Sequence, residues 1–303
     1  MVDHFDKVRF LENLYQEVLG RSADTAGLRN NLSGMSPMPD ERELASLAGG
    51  FAKSQEYRKL VIEEFFLEKL LLIPVEDFNF FSIGDHCATA NLLKKFGLRT
   101  SSGPFDWLFT SIPMVLECVA DAFCHFLDRS YYKEAPSSLS QGGCSDAYDH
   151  EYFKKKLGIE RVFNHHNPLT QSVYEHFVRC VDRFKVALDC DKTILVYMGK
   201  NLSASEIQSV ECAFSKKKCQ VLVFEVCCRG PVVMPQLEFQ RLGQATTIVR
   251  FFPHSSLGAL EFSDGLDNFF FAYIVKLFAY GIFRERVKTL DSCDFSTRSL
   301  SGA

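Results

Sequence analysis

Apolar residues over the first seventy positions recur at helical spacing. Phe10, Leu11, Leu14, Tyr15, Val18 and Leu19 make a stripe that stops at Gly20, which predicts an amphipathic helix closed by glycine. Residues 21–28 are polar and read as a turn into a second short helix. Pro37-Met38-Pro39 breaks the chain, and Asp40 is placed to cap a third helix over Glu43, Leu44, Leu47 and Phe51. Ser54-Gln55-Glu56-Tyr57 starts another, and residues 64–72 predict a connecting helix closed by Pro74. Then the period changes. Asn79-Phe80-Phe81 is a short apolar strand, and 193–198, Gln220–Val226 and Thr246–Phe252 are continuous apolar runs separated by helices at 171–188 and 203–214. Such runs alternating with helices predict an α/β fold: a mostly parallel sheet with helices on both faces, preceded by a small all-α domain. The expected domains are 1–72, a helical module; 77–290, the α/β part; and 291–303, a Ser/Thr-rich flexible tail. Residues 129–150 read as a long surface loop or lid, and Arg161-Val162-Phe163 as a strand ending in a histidine-bearing loop.

The chemistry gathers where the first strand ends. In Ser82-Ile83-Gly84-Asp85-His86-Cys87 a glycine relieves a tight turn and a helix begins near Cys87, with Ala88, Leu92, Leu93 and Phe96 at helical spacing before Gly97. A cysteine at a helix start meets free backbone N–H groups and the positive end of the dipole, both of which favour the nucleophilic thiolate. Asp85 and His86 add polar groups within reach of the turn. A thiolate also needs an imidazole partner, and the imidazole an orienting group. His165 or His166 can serve as that base, with Asn167, Asp182 or Asp106 as orienter, and His254 is a rival. Cys87, His165 and His254 each follow a predicted strand, so all three can share the C-terminal rim of one sheet. Trp107, Asn167 and His254 are the candidate substrate-binding groups. Asp106 equally fits a cap on the turn beneath Trp107, and the Asp264/Asp267 pair equally fits a turn.

Composition narrows the classes. A net charge of −4 leaves no basic footprint for nucleic acid. No run approaches the length of a membrane span; Phe269-Phe270-Phe271-Ala272-Tyr273-Ile274-Val275 is the richest and reads as a buried helix. The start of the chain is polar and acidic, without a signal segment, so the 11 cysteines are expected as reduced thiols in a cytoplasm. No Cys/His spacing fits zinc, and Gly142-Gly143 lacks the setting of a phosphate loop, so neither metal nor cofactor is expected.

Two resemblances follow. Tyr15-Gln16-Glu17-Val18-Leu19-Gly20-Arg21, Asp24-Thr25-Ala26-Gly27-Leu28 and Phe51-Ala52-Lys53-Ser54-Gln55-Glu56-Tyr57 resemble domain of unknown function 4214 over about residues 8–62. That family is similar to phycobilisome linker domains and recurs in bacterial surface-associated proteins. It implies a module for a protein partner and carries no catalytic residues. Ser82-Ile83-Gly84-Asp85-His86-Cys87, Lys94-Lys95-Phe96-Gly97-Leu98-Arg99 and Pro104-Phe105-Asp106-Trp107-Leu108 resemble the papain-like cysteine peptidase family, domain of unknown function 1796, over about 77–275. That resemblance implies Cys87 as nucleophile and a later histidine, from the His165-His166 pair, as base. The alternating strands and helices depart from the antiparallel sheet of papain-like enzymes. The expectation is therefore a cytoplasmic, bacterial-type, cysteine-dependent hydrolase or acyl transferase acting on a small-molecule, peptide or glycan substrate. Its rivals are a non-catalytic protein that binds a glycan or nucleotide, and a transferase acting on surface polysaccharide.

Overall fold

Five strands rich in branched and aromatic residues line up in the larger part of the chain, in the order β1-β4-β5-β7-β6: β1 Asn79–Ser82, β4 Thr193–Gly199, β5 Gln220–Val226, β7 Thr246–Phe252 and β6 Gln236–Arg241. In this computed structural model residues 6–52, 54, 56–57, 60, 73–135, 147–227 and 235–281 are described. Contacts divide the chain into Met1–Lys69 and Leu70–Ala303. The helix expected over 64–72 and the tail expected at 291–303 lie outside the described residues.

In the first unit three helices follow their caps. α1 (Lys7–Leu19) starts where Asp6 accepts from Arg9 N–H and ends at Gly20, whose φ of 65° is the left-handed conformation glycine adopts freely. α2 (Thr25–Gly34) begins earlier than expected. Asp24 is its N-cap, accepting from Gly27 N–H, so residues 25–28, read above as turn, form the first helical turn. α3 (Glu41–Ala52) follows Asp40, which accepts from Glu43 N–H at 2.8 Å. The three pack through Leu11, Tyr15, Leu19, Met35 and Phe51, with the Tyr15 and Phe51 rings edge to face at 4.9 Å.

In the second unit the parallel pairs are in register: Phe81 lies opposite Leu195, Val196 opposite Leu222, and Val223 opposite Ile248. Side chains alternate across a strand. Phe80, Ile194, Val196, Leu222, Phe224, Val249 and Phe251 therefore face one core, while Phe81, Leu195, Tyr197, Val221, Val223 and Ile248 face the other. That explains the unbroken apolar runs, since each strand is covered twice. Helices α4 (Cys87–Lys95) and α10 (Gly265–Tyr280) cover the first face. The second is covered by α5 (Ile112–Ala120), α6 (Cys124–Leu127), α7 (Glu151–Leu157), α8 (Gln171–Ala187) and α9 (Ala204–Phe214). β6 is the exception to parallel order: it pairs antiparallel with β7 at the edge. Its half-exposed alternation gives no apolar run to mark it in the sequence.

The stretch 129–150 departs from the surface-loop expectation at both ends. β2 (Tyr132–Glu134) and β3 (Tyr148–His150) pair antiparallel, while 136–146 lie outside the described residues. Phe163 makes only an isolated bridge to Tyr148, not the strand expected at 161–163. His150 is 0 % exposed, with its ring 4.5 Å from Phe153 and 5.6 Å from both Tyr131 and Tyr132. Burial pushes its pKa down to about 4, against the hydrogen bond to the His125 carbonyl at 3.1 Å. The unfolded chain, with an imidazole near 6.5, takes up this proton first as pH falls. The contribution is whole above about pH 6.5 and drains between there and about pH 4, by roughly 3 kcal/mol. Urea unfolding followed by Trp107 fluorescence across that window is expected to show the loss, and His150→Phe to flatten it.

Candidate functional site

Adjacent strands β1 and β4 send their following helices to opposite faces: α4 packs on one core and α9 on the other. Between their C-terminal ends lies a topological switch point, the place where open parallel sheets leave a crevice. The β1 side of that switch point is Gly84-Asp85-His86-Cys87, and the β4 side is Lys200 and Asn201. Three hydrogen bonds hold the turn. Asp85 N–H donates to Met198 O at 3.4 Å, Thr110 N–H donates to Asp85 O at 3.0 Å, and the Thr110 hydroxyl donates to Gly84 O. Gly84 admits no side chain, because a Cβ there would stand 2.2 Å from Thr89 Oγ1 on the first turn of α4.

His86 is the N-cap of α4 but makes no side-chain cap bond. Its Nδ1 contacts the Asp85 carboxylate instead, and Gly258 of the loop after β7 lies near enough to influence the ring. Burial works against the charged ring and Lys200 opposes it, yet the Asp85 carboxylate and Gly258 prevail, so its pKa stands above the ordinary imidazole value. Cys87 is the first residue of α4, 4 % exposed. Burial pushes its thiol up to about 11, and its own amide is the only group opposing. The expected thiolate is therefore a neutral thiol at rest: desolvation outweighs the helix start. No imidazole hydrogen-bonds to its sulfur among the described residues.

The two histidines expected as its base make contacts of their own. His165 is exposed beside Asn164, and the His166 ring is edge-on to Phe177 of α8 at 5.7 Å. Asn167 caps the turn into α8, accepting from Leu169 N–H at 3.0 Å, and Asp182 is exposed on α8. Burial, and then the charge of His176, hold the His166 pKa below the ordinary imidazole value; nothing in the motif around Cys87 points to His176. His176 Nε2 stands 3.4 Å from Cys180 Sγ, one helical turn on, and Arg183 donates to the same sulfur at 3.2 Å. Burial nonetheless lifts the Cys180 thiol to about 11. Spacing of four on one helix would have revealed this pair.

Asp106 proves to be a clasp. Its carboxylate accepts from Arg99 and from Gly103 N–H at 2.9 Å, closing the Arg99–Asp106 loop, while its Oδ1 is buried without a partner. Trp107 follows with φ of 62°, and its ring faces Arg99 at 5.8 Å and Lys94 at 6.0 Å. His254 is held by its backbone, which donates to Asp267 at 2.9 Å. Among the described residues no group of three His, Cys, Asp or Glu could hold a metal.

Residues 78–226 match the family described as "Putative papain-like cysteine peptidase (DUF1796)", and residues 3–61 match domain of unknown function 4214. The two matches fall in that order along the chain, one within each of its two parts. The peptidase-family match supports a cysteine-hydrolase-like reading of the α/β unit and encompasses β1 to β5 with Cys87, His165 and His166. It stops before β7, so His254 and Asp267 lie beyond it. No curated protein and no solved structure matches the chain. No helix among the described residues is long and apolar enough to cross a membrane.

The Arg99–Asp106 pair is nearly closed to solvent, at 10 % and 3 % side-chain exposure. Arg99→Met leaves a buried carboxylate without its counter-charge and is expected to lower stability by about 3–5 kcal/mol in urea unfolding. Adding Asp106→Asn to that variant is expected to restore much of the loss.

Proposed function

We propose that the β1–β4 crevice is the reaction centre of a cysteine-dependent hydrolase or acyl transferase. Cys87 is the nucleophile, His86 the base and Asp85 the carboxylate that orients it. The observation that carries this reading is the Asp85 carboxylate on His86 Nδ1 at the turn that delivers Cys87 to the start of α4. A resting thiol with pKa near 11 has to lose its proton during the reaction, and a carboxylate-held imidazole is suited to take it. The proton passes from sulfur to His86 as the S–C bond to the carbonyl carbon forms. His86 returns it to the leaving group, and water or an acceptor then releases the acyl group. Backbone N–H groups at the uncapped start of α4 support the developing oxyanion. The helical unit would serve a protein partner, and the free thiols of the eight described cysteines fit a reducing cytoplasm.

One contact favours a second reading. The 3.4 Å approach of His176 to Cys180 makes Cys180 the rival nucleophile. Incubation with a panel of activated acyl esters and thioesters, followed by mass spectrometry, separates the two. An acyl adduct on Cys87, lost in Cys87→Ser, is expected. An adduct on Cys180 moves the centre to α8, and turnover surviving Cys87→Ser overturns the proposal. His86→Gln is expected to lower kcat by roughly 10²–10⁴-fold. Because only the unprotonated ring accepts a proton and its pKa is raised, activity is expected to climb as pH passes above about 6.5.

A further inference from the structure

Because β6 runs against its neighbours, it ends where the parallel strands begin. Its last residue, Arg241, pairs in register with Thr247 of β7. That brings the guanidinium to the N-terminal edge of the sheet, beside Gln220 at the start of β5 and Ser215 and Lys217 just after α9. A cavity of about 410 Å³ opens there. The described residues lining it are Ser215, Lys217, Gln220, Arg241, Gln244 and Ala245: two cations, two amides, a hydroxyl and no carboxylate, in a chain whose net charge is −4. Lys217 is the middle of Lys216-Lys217-Lys218, a run that by composition alone is a solvated helix end.

The guanidinium is set in place before any ligand arrives. Arg241 folds back on the turn into β7, its Nε donating to Gly243 O at 2.8 Å and its Nη2 to Gln244 O at 3.2 Å. The rest of its planar fork stays available to an acceptor. The turn itself is fixed by Glu211 of α9, which accepts from Gln244 N–H at 3.0 Å and Thr246 N–H at 2.8 Å. Gly243 permits that approach, since a Cβ there would stand 2.1 Å from Glu211 Oε1. The Glu211 charge is thus met by backbone amides, and Lys217 has only a loose pair, at 3.7 Å, with an Asp189 that is 66 % exposed. A preset guanidinium suits a tetrahedral oxyanion, which takes two of its N–H groups side by side, and an ammonium adds charge without direction. The amides of Gln220 and Gln244 can meet further oxygens or hydroxyls. No aromatic ring stands among the described lining residues to stack on a base, so the fit is to a small phosphorylated compound without one.

We propose that this cavity binds the phosphate group of a small polar ligand, held by Arg241 and Lys217. It lies at the opposite end of the sheet from Cys87. Strand β5 alone spans about 20 Å at 3.3 Å per residue, so a ligand here does not touch the proposed reaction centre. The site therefore stands or falls independently of the hydrolase reading.

The test is isothermal titration calorimetry on the full-length chain, with inorganic phosphate, pyrophosphate and ribose 5-phosphate as probes. An ionic strength of about 0.15 M screens the diffuse attraction of exposed charges. Saturable binding of at least one probe at millimolar concentration or below is expected. Lys217→Gln and Arg241→Gln should each weaken it by roughly tenfold or more. Lys216→Gln removes the same charge one residue away, outside the lining, and should leave the affinity unchanged. Should Arg241→Gln loosen the turn and fail to fold, judged by Trp107 fluorescence, Lys217→Gln alone decides. The proposal is overturned if no probe saturates, or if binding survives Lys217→Gln undiminished. It is equally overturned if Lys216→Gln costs as much affinity as Lys217→Gln, because a diffuse positive surface then holds the anion. Binding of a single-stranded oligonucleotide or a poly-glutamate peptide, with none of the three small probes, also overturns it and makes the face a macromolecular contact.

Discussion

The parallel pairing of β1 with β4 is the constraint on which the α/β unit depends. Asn79 lies beside Thr193, so the chain between them travels more than a hundred residues before a four-residue strand finds its partner. Described elements of that excursion cover the sheet on both faces. The α4 helix seals one face of the sheet, while the Arg99–Asp106 clasp, the aromatic core of Phe105, Phe123, Phe126 and Phe184, and α8 seal the other. Once β1 is in register, Gly84 and Asp85 are carried past the end of the sheet and the crevice against Lys200 follows from geometry.

Burial sets the chemistry at both thiols. Cys87 and Cys180 are each buried, and desolvation outweighs the helix start at one and the adjacent guanidinium and imidazole at the other. His86 shows the opposite balance, since a carboxylate in contact outweighs desolvation and holds the ring toward its charged form. On the proposed reading, that neutral thiol has to give up its proton in the course of reaction. This differs from the resting thiolate that a helix-start cysteine first implies.

The carboxylates of this unit divide by what surrounds them. Asp106 faces a guanidinium and closes a loop, Glu211 accepts from Gln244 and Thr246 N–H to close the turn into β7, and Asp267 closes the loop after it. Each of these three acids thus pins a connection between elements. Two acids that look alike in Asp264-Gly265-Leu266-Asp267 differ for the same reason: Asp264 caps α10 at the surface, whereas Asp267 turns inward to the loop.

Local chemistry made much of this legible from the chain alone. Asp40 and the Ser203–Glu206 capping box mark helix starts, Gly20 and Gly97 mark ends, and the doubly covered strands announce themselves as unbroken apolar runs. These signals depend on neighbours within a turn or two, or on burial common to a whole strand. What the sequence could not carry was which distant groups meet. His166 lies edge-on to Phe177, the Asp85 carboxylate meets its own neighbour His86, and His150 lies in the core rather than on a lid. Those outcomes are set by which face each helix takes after its strand, a choice made by packing across the sheet. So the amino-acid order determined the elements, their caps and the cysteine at a helix start, while tertiary packing alone decided its partners and its charge.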